Sequence, residues 1–318
     1  MTLRLWLSSV KTWMFRRPVD EAKRLYRWGP RAYFRFDAWA SQMEQAAYNL
    51  PTLANSEENP ASPLVVWYLT GSRFWYQTAF CAWTLSYHSH RRIVLNLIDD
   101  GSLQAHQERQ LRNLFPEGIT RWKHDLAQTL EEKLPIARFP HLRERWLDYV
   151  NIRKLTDIHL GSRGLKLVLD SDMLFFSRPH ELLAWWDNPK GPCLMTDFVE
   201  SYGYSRQLME DLSGASIPPL LNVGICGLRS EDLDWQELEH WCGTLVEQEG
   251  ARYFLEQALV AMLAARTPPM VMPPSSYITL PNRKQILAGE GVLQHYVAES
   301  KPWYFRKAWR KALTLCHE

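Results

Sequence analysis

Two aspartates carry the strongest chemical signal in this chain. Asp170-Ser171-Asp172 directly follows the apolar run Leu165-Lys166-Leu167-Val168-Leu169 and precedes Met173-Leu174-Phe175-Phe176. Carboxylates lose solvation among apolar neighbours, so two of them require a cation or strong donors. In extended chain, residues i and i+2 point the same way, and both carboxylates can reach one ion. A hard divalent cation with oxygen ligands suits that spacing. An EF-hand loop is excluded, because Phe175 stands where its obligatory glycine would be. The plain alternative is a pair of acids in a surface turn; apolar flanks on both sides favour the floor of a cleft instead.

A second group lies near the C-terminus, where His295-Tyr296 is followed by Lys301-Pro302-Trp303. One imidazole could complete a site that Asp170 and Asp172 begin. A mixed carboxylate and imidazole set suits Mn²⁺ better than Mg²⁺. Lys301 could neutralise phosphate charge as a point cation.

The elements that must position these residues alternate between strand and helix. Leu64-Val65-Val66-Trp67-Tyr68-Leu69 is a continuous apolar run, as in a buried parallel strand, and Thr70-Gly71-Ser72 ends it. A helix over 74–86, a strand over 92–98 and the polar turn Asp99-Asp100-Gly101-Ser102 complete a βαβ unit. Helical pattern over 103–114, a short strand near Ile119 and helix over 141–160 lead to the strand 165–169. Beyond it come a helix around 180–186, a strand over 193–196, the segment 220–228, and helices over 235–248 and 254–265. The alternation predicts an α/β fold.

Residues 1–60 read as a basic helical extension and linker, 61–305 as the main domain and 306–318 as a basic tail. Arg4, Lys11, Arg16, Arg17, Lys23, Arg24, Arg27, Arg31 and Arg35 interleave with Trp6, Trp13, Phe15, Tyr26 and Trp28. Such a stretch either packs on the main domain or rests on an anionic membrane surface. The net charge of +2 creates no global field for nucleic acid. Five widely spaced cysteines without a C-x-x-C pair argue against zinc and a disulfide framework. No apolar stretch approaches the roughly 20 residues of a membrane span, and no signal-peptide core is present. A cytoplasmic location, with membrane association as the variant, is the expectation.

The segment Val168 to Phe175 resembles the D-x-D region of the family 8, glycogenin-like retaining glycosyltransferases. Leu221-Asn222-Val223-Gly224-Ile225 resembles that family's "N-S-G-V" strand, and Leu255-Glu256-Gln257-Ala258-Leu259 its "D-Q-D-x-L" helix start. His295 to Trp303 resembles its "H-F-x-G-x-x-K-P-W" signature. Order and spacing agree across residues 64–305. The resemblance implies a GT-A fold, a Rossmann-like α/β domain whose mixed, mostly parallel sheet is flanked by helices, and a metal-dependent transferase acting on a nucleotide-sugar, commonly a UDP-sugar. It implies that Asp170, Asp172 and His295 hold Mn²⁺ or Mg²⁺. Asp170, Ser171, Arg153 and Lys301 would meet the donor, with Lys301 on the leaving diphosphate. Leu69, Thr70 and Gly71 would meet the nucleoside. Asp197 would bind sugar hydroxyls, Asn222 and Gly224 would line the sugar site, and Gln257 would sit beside the anomeric carbon with Glu256 next to it. In an inverting variant, Glu256 or Asp197 would be the base.

Departures from the family pattern are Ala298 for its glycine, Glu256 and Ala258 for the two acids, and Val223 for serine. They suggest a divergent member with an altered acceptor, which could be a glycan, a lipid or a protein. A silent nucleotide-sugar or glycan-binding protein docked on a membrane is the competing expectation. A nucleotidyltransferase ranks last, since Thr70-Gly71-Ser72-Arg73 is a poor phosphate loop. Asp172→Asn is expected to abolish sugar transfer while barely moving the melting temperature; a large drop in melting temperature with activity kept would refute the metal role.

Overall fold

The computed structural model describes residues 17–53 and 62–316. Trp6, Trp13 and Phe15, and the polar linker around Asn55 to Pro60, lie outside the described residues.

Seven strands form the central sheet: β1 (Leu64–Thr70), β2 (Ile93–Asp99), β3 (Thr120–Arg121), β4 (Leu165–Leu169), β6 (Cys193–Thr196), β7 (Leu221–Arg229) and β8 (Met270–Val271), in the order β3-β2-β1-β4-β7-β6-β8. Only β7 runs against the rest, pairing antiparallel with β4 and β6. A second sheet holds β5 (Met173–Phe175) antiparallel to β10 (Leu293–His295), which is parallel to β9 (Tyr277–Thr279). The central strands are apolar because they are covered on both faces. Their side chains alternate between two cores. Leu64, Val66 and Tyr68 of β1 and Leu167 and Leu169 of β4 enter one core; Trp67 and Val168 enter the other.

The first core is filled by the helix Trp75–Ser89, buried over most of its circumference. The N-terminal helix Pro30–Ala47 adds Trp39, Met43 and Ala47 to it. That helix is separated from Arg17–Trp28 by Gly29, whose φ of 75° is left-handed. Lys301–Trp303, the π-helical Tyr304–Ala308 and Trp309–Leu315 form one helical run at the other terminus. Its Tyr304, Phe305, Ala308, Trp309 and Ala312 are buried in the same core. Phe305 meets Phe36 edge-on at 4.8 Å. The stretch expected as a basic tail after residue 305 is therefore helical and packed, because its apolar face meets the N-terminal helices.

The second core takes the helices Pro140–Asp148, Trp235–Glu249 and Leu255–Ala264. The single helix expected over 141–160 is two, joined by a 3₁₀ turn at Val150–Ile152. All five cysteines are buried and free. Among the described residues no helix is long and apolar enough to cross a membrane.

Gly227 in β7 has no room for a side chain, because a Cβ there would lie 2.2 Å from the Trp185 ring. Gly227→Ala is expected to cost about 1–3 kcal/mol through overpacking, read as a lower denaturant midpoint at an unchanged m-value.

Candidate metal and donor site

The chain leaves the main sheet at Asp170-Ser171-Asp172, turns, and enters the second sheet as β5. The two acids thus occupy a bend between sheets, not an unbroken extended strand as the sequence pattern suggested. The alternation set by β4 still persists through Ser171. Its hydroxyl turns into the first core, 2.8 Å from Thr78 Oγ1. That leaves the aspartates on the opposite side, at the carboxyl edge of the parallel strands where ligands bind in open α/β sheets. The Asp170 N–H donates to Gly224 O of β7 at 2.9 Å, and the Tyr296 N–H donates to Asp172 O at 2.9 Å. His295 stands opposite Met173 in the β5–β10 pair.

This register aims the imidazole at both acids. His295 Nε2 lies 3.3 Å from Asp172 Oδ1 and 3.7 Å from Asp170 Oδ2. One ligand atom from each of Asp170, Asp172 and His295 lies within 4.8 Å of the others. Two ligands about 2.1 Å from an ion, at right angles, sit about 3 Å apart, so this spacing fits a divalent cation. The donor set, two carboxylates and a neutral imidazole, fits Mn²⁺ or Mg²⁺ chemistry. Among the described residues, the buried His295 Nδ1 meets no hydrogen-bond partner. The ring is held instead by Gly224, where a Cβ would fall 2.8 Å from His295 Cε1 and Nδ1.

Two lysines neutralise the acids. Lys301 Nζ bonds Asp172 Oδ2, and Lys154 Nζ bonds Asp170 Oδ1 at 2.6 Å. Lys154 also lies 3.3 Å from Glu256 Oε2. Burial raises the Asp172 carboxyl, but Lys301 and His295 outweigh it and hold it well below the usual carboxylate range. Burial lowers the His295 imidazole, but Asp172 and Asp170 bring it above its ordinary value. Burial likewise opposes the Lys154 ammonium, and Asp170 and Glu256 raise it well above the usual range. Glu256 is pushed up to about 7, chiefly by burial and then by Asp170, against the pull of Lys154.

Two adjoining compartments open from this centre, of about 490 Å³ and 450 Å³, sharing Lys154, Asp170, Asp172 and Lys301. Asp197, Asn222, Glu256 and Gln257 face the first. Asn222 Nδ2 and Gln257 Nε2 both donate to Asp197 Oδ2, at 3.2 and 3.3 Å, so the three form one polar wall. The Asn222 side-chain Oδ1 accepts from the Gly224 N–H at 2.8 Å. Leu69, Asp100 and Ser171 face the second compartment. Thr70 is turned inward, its hydroxyl accepting from Thr78 at 2.9 Å. Gly71 lies beneath Asp100, whose carboxylate would be 2.1 Å from a Cβ there.

Arg153 is not in the cleft. Its guanidinium is 1% exposed, stacks on Trp146 at 5.2 Å and bonds Asp157 Oδ2 at 2.6 Å. Asp157 lies one turn later on the same helical face, so residue 153 points inward. Residue 154, about 100° further round, faces the acids, and its ammonium meets Asp170 and Glu256. Lys154 and Asp100 are among the cleft residues the sequence reading missed, as are Tyr149, Asn151 and Tyr253, which line both compartments. Asp100 had been taken only as a turn residue, and no spacing rule separates residue 153 from 154 before the helix phase is known.

Ala298 has φ 44°, a conformation that costs a residue with a Cβ about 1–2 kcal/mol. The glycine-type backbone of this loop is thus kept despite the substitution. Its carbonyl accepts from the Trp28 indole N–H at 3.2 Å.

Fold and site together define a GT-A architecture: a mostly parallel sheet with paired acids at its carboxyl edge and a small second sheet closing over them. The chain superposes on the apo structure of WbbM, a bifunctional glycosyltransferase, with TM-score 0.53 and 15% identity, over 82% of this chain and 51% of that one. It matches the galactosyltransferase LgtC in complex with donor and acceptor sugar analogues at TM-score 0.51 and 12% identity, over 80% of this chain and 95% of LgtC. An active-site glutamine-to-glutamate mutant of LgtC gives TM-score 0.50 and 14% identity over the same shares. No protein-family model and no curated protein sequence matches the chain. At these identities the likeness establishes the shared fold.

Gly224→Ala is expected to push the His295 ring off the acids and to weaken Mn²⁺ binding at least about tenfold, the size seen when groups supporting metal ligands are altered. Calorimetric titration with Mn²⁺ checks this, and unchanged affinity would remove His295 from the ligand set.

Proposed function

We propose that this protein is a metal-dependent glycosyltransferase that takes a hexose from a nucleotide-sugar, UDP-linked by its resemblance to the family 8 enzymes, and transfers it with retention. The observation that carries this reading is the convergence of Asp170, Asp172 and His295 from two sheets, with Lys154 and Lys301 beside them at a cleft of two compartments. LgtC binds donor and acceptor sugar analogues in a related fold, which supports a donor and an acceptor for this cleft; Gln257 faces it beside Asp197.

A divalent ion bound by the triad would offset the negative charge that grows on the departing diphosphate. The chain's own residues divide the remaining tasks. Lys301, beside Asp172 at the mouth of both compartments, is placed to hold a diphosphate oxygen, and such differential stabilisation raises the rate. The wall of Asp197, Asn222 and Gln257 offers acceptors and donors that match sugar hydroxyls. Leu69 and Asp100, with Thr70 and Gly71 shaping the strand end behind them, form the compartment suited to the nucleoside. In the retaining reading the acceptor oxygen attacks the face the diphosphate leaves, and its proton passes to the departing phosphate oxygen. Glu256 serves that reading by holding Lys154 in place. The left-handed backbone at Ala298 supports an intact diphosphate loop, and so an enzyme in preference to a silent binder. The exposed Leu25, Tyr26 and Phe34 beside Arg24 and Arg35 support a peripheral membrane contact through the N-terminal helices.

Mn²⁺ with UDP is expected to raise the melting temperature, by an amount equivalent to about 2.7 kcal/mol at a hundredfold excess over Kd. The shift should vanish with EDTA and in Asp172→Asn. Absence of any shift at millimolar ligand would overturn the donor assignment, and a screen of UDP-sugars for Mn²⁺-dependent hydrolysis tests catalysis.

A further inference from the structure

Apart from the acid pair, a cavity of about 340 Å³ opens between the N-terminal helices and the C-terminal helical run. Arg27, Arg31 and Arg306 face it, and Trp28, Trp39 and Trp303 form its walls. The one acid among its described lining residues is Glu299, whose Oε1 lies 3.8 Å from Arg27 Nε, both side chains more than half exposed. An ion pair that open and that long neutralises little. Arg306 is held by ring faces, its Cζ 5.5 Å from the Trp39 centroid and 5.2 Å from that of Trp303. Among the described residues neither Arg31 nor Arg306 meets a carboxylate. A guanidinium clamped by aromatic faces keeps its N–H edge free, and that edge is built for bidentate contact with an oxyanion.

We propose that this cavity binds a phosphate group carried by a second ligand, distinct from the diphosphate proposed for the acid pair. Three guanidinium forks suit a tetrahedral oxyanion with several acceptor oxygens better than a carboxylate with two. The volume admits a phosphate and part of the group that bears it. Arg27 lines both this cavity and the sugar-side compartment, so a ligand anchored here by its phosphate can extend toward Asp197 and Gln257. The N-terminal helices thereby contribute a specificity element, since without Arg27, Trp28 and Arg31 the cavity lacks one side.

Calorimetric titration of the full chain with inorganic phosphate in EDTA tests the site without the metal. Saturable binding is expected, weakened at least about tenfold, or 1.4 kcal/mol, by Arg306→Gln and by Arg31→Gln, and unaffected by Lys301→Gln, which removes a cation at the acid pair. A soluble hexose phosphate, and phosphatidylcholine vesicles with or without phosphatidic acid, serve as further probes. Binding that needs the two arginines supports the site in either case: the soluble probe alone points to a phosphorylated sugar, the phosphatidic acid vesicles to a lipid phosphate. Absence of binding to every probe, wild-type affinity in both arginine variants, or loss in Lys301→Gln would overturn the proposal. The last outcome would seat the anion at the acid pair and leave the donor reading standing.

Discussion

The antiparallel pairing of Met173–Phe175 with Leu293–His295 is the constraint on which the rest of the site depends. It fixes residues 129 positions apart in the chain, Asp172 and Lys301, within one ion pair. It also puts the His295 ring between two carboxylates that would otherwise have only lysines for company. A slip of one residue in this short ladder would turn every β10 side chain to the opposite face, and the imidazole with it. The register is held by the Tyr296 N–H on Asp172 O and by the Leu280 N–H on His295 O. Behind it, Tyr296 and Tyr304 stack at 4.7 Å.

Charge balance explains the arrangement around that pair. Two half-buried carboxylates so close together are stable only with cations at hand, and Lys154, Lys301 and His295 supply them. A divalent ion entering among Asp170, Asp172 and His295 would replace much of that neutralisation. Both ammonium groups would then face an anionic ligand instead of the acids. One set of charges can thus hold the metal-free site together and, in the proposed reaction, receive a diphosphate. Close backbone approach matters as much as charge. Gly224 has no space for a Cβ beside the imidazole, and Ala298 accepts a left-handed backbone to keep its loop in place.

The termini close the same structure from outside. Trp28 reaches the Ala298 carbonyl, Arg310 reaches Gln42, and Trp75 reaches Glu44. The N-terminal helices and the C-terminal run are therefore braced against the loop that follows β10. Their basic, aromatic composition serves packing on one side and an arginine-lined cavity on the other.

The strands β1, β2, β4 and β6 were legible in the sequence because runs covered on both faces are mostly apolar, and the turns after them are polar; β7, interrupted by Asn222, Gly224 and Gly227, was legible as a strand only through the family resemblance. Asp170 and Asp172 were legible because acids directly after such a run are costly without a partner. The sequence pattern also singled out His295 and Lys301. What it could not decide was contact. The strands β5, β9 and β10 are three residues each, too short to show a period, and only their mutual pairing makes them strands. The choice of Lys154 over Arg153 rested on the rotation of one helix, set by burial of Arg153 against Asp157. Residue types and their order determined which chemistry was available. Long-range pairing and helix phase, which depend on surfaces far apart in the chain, decided which of those residues meet.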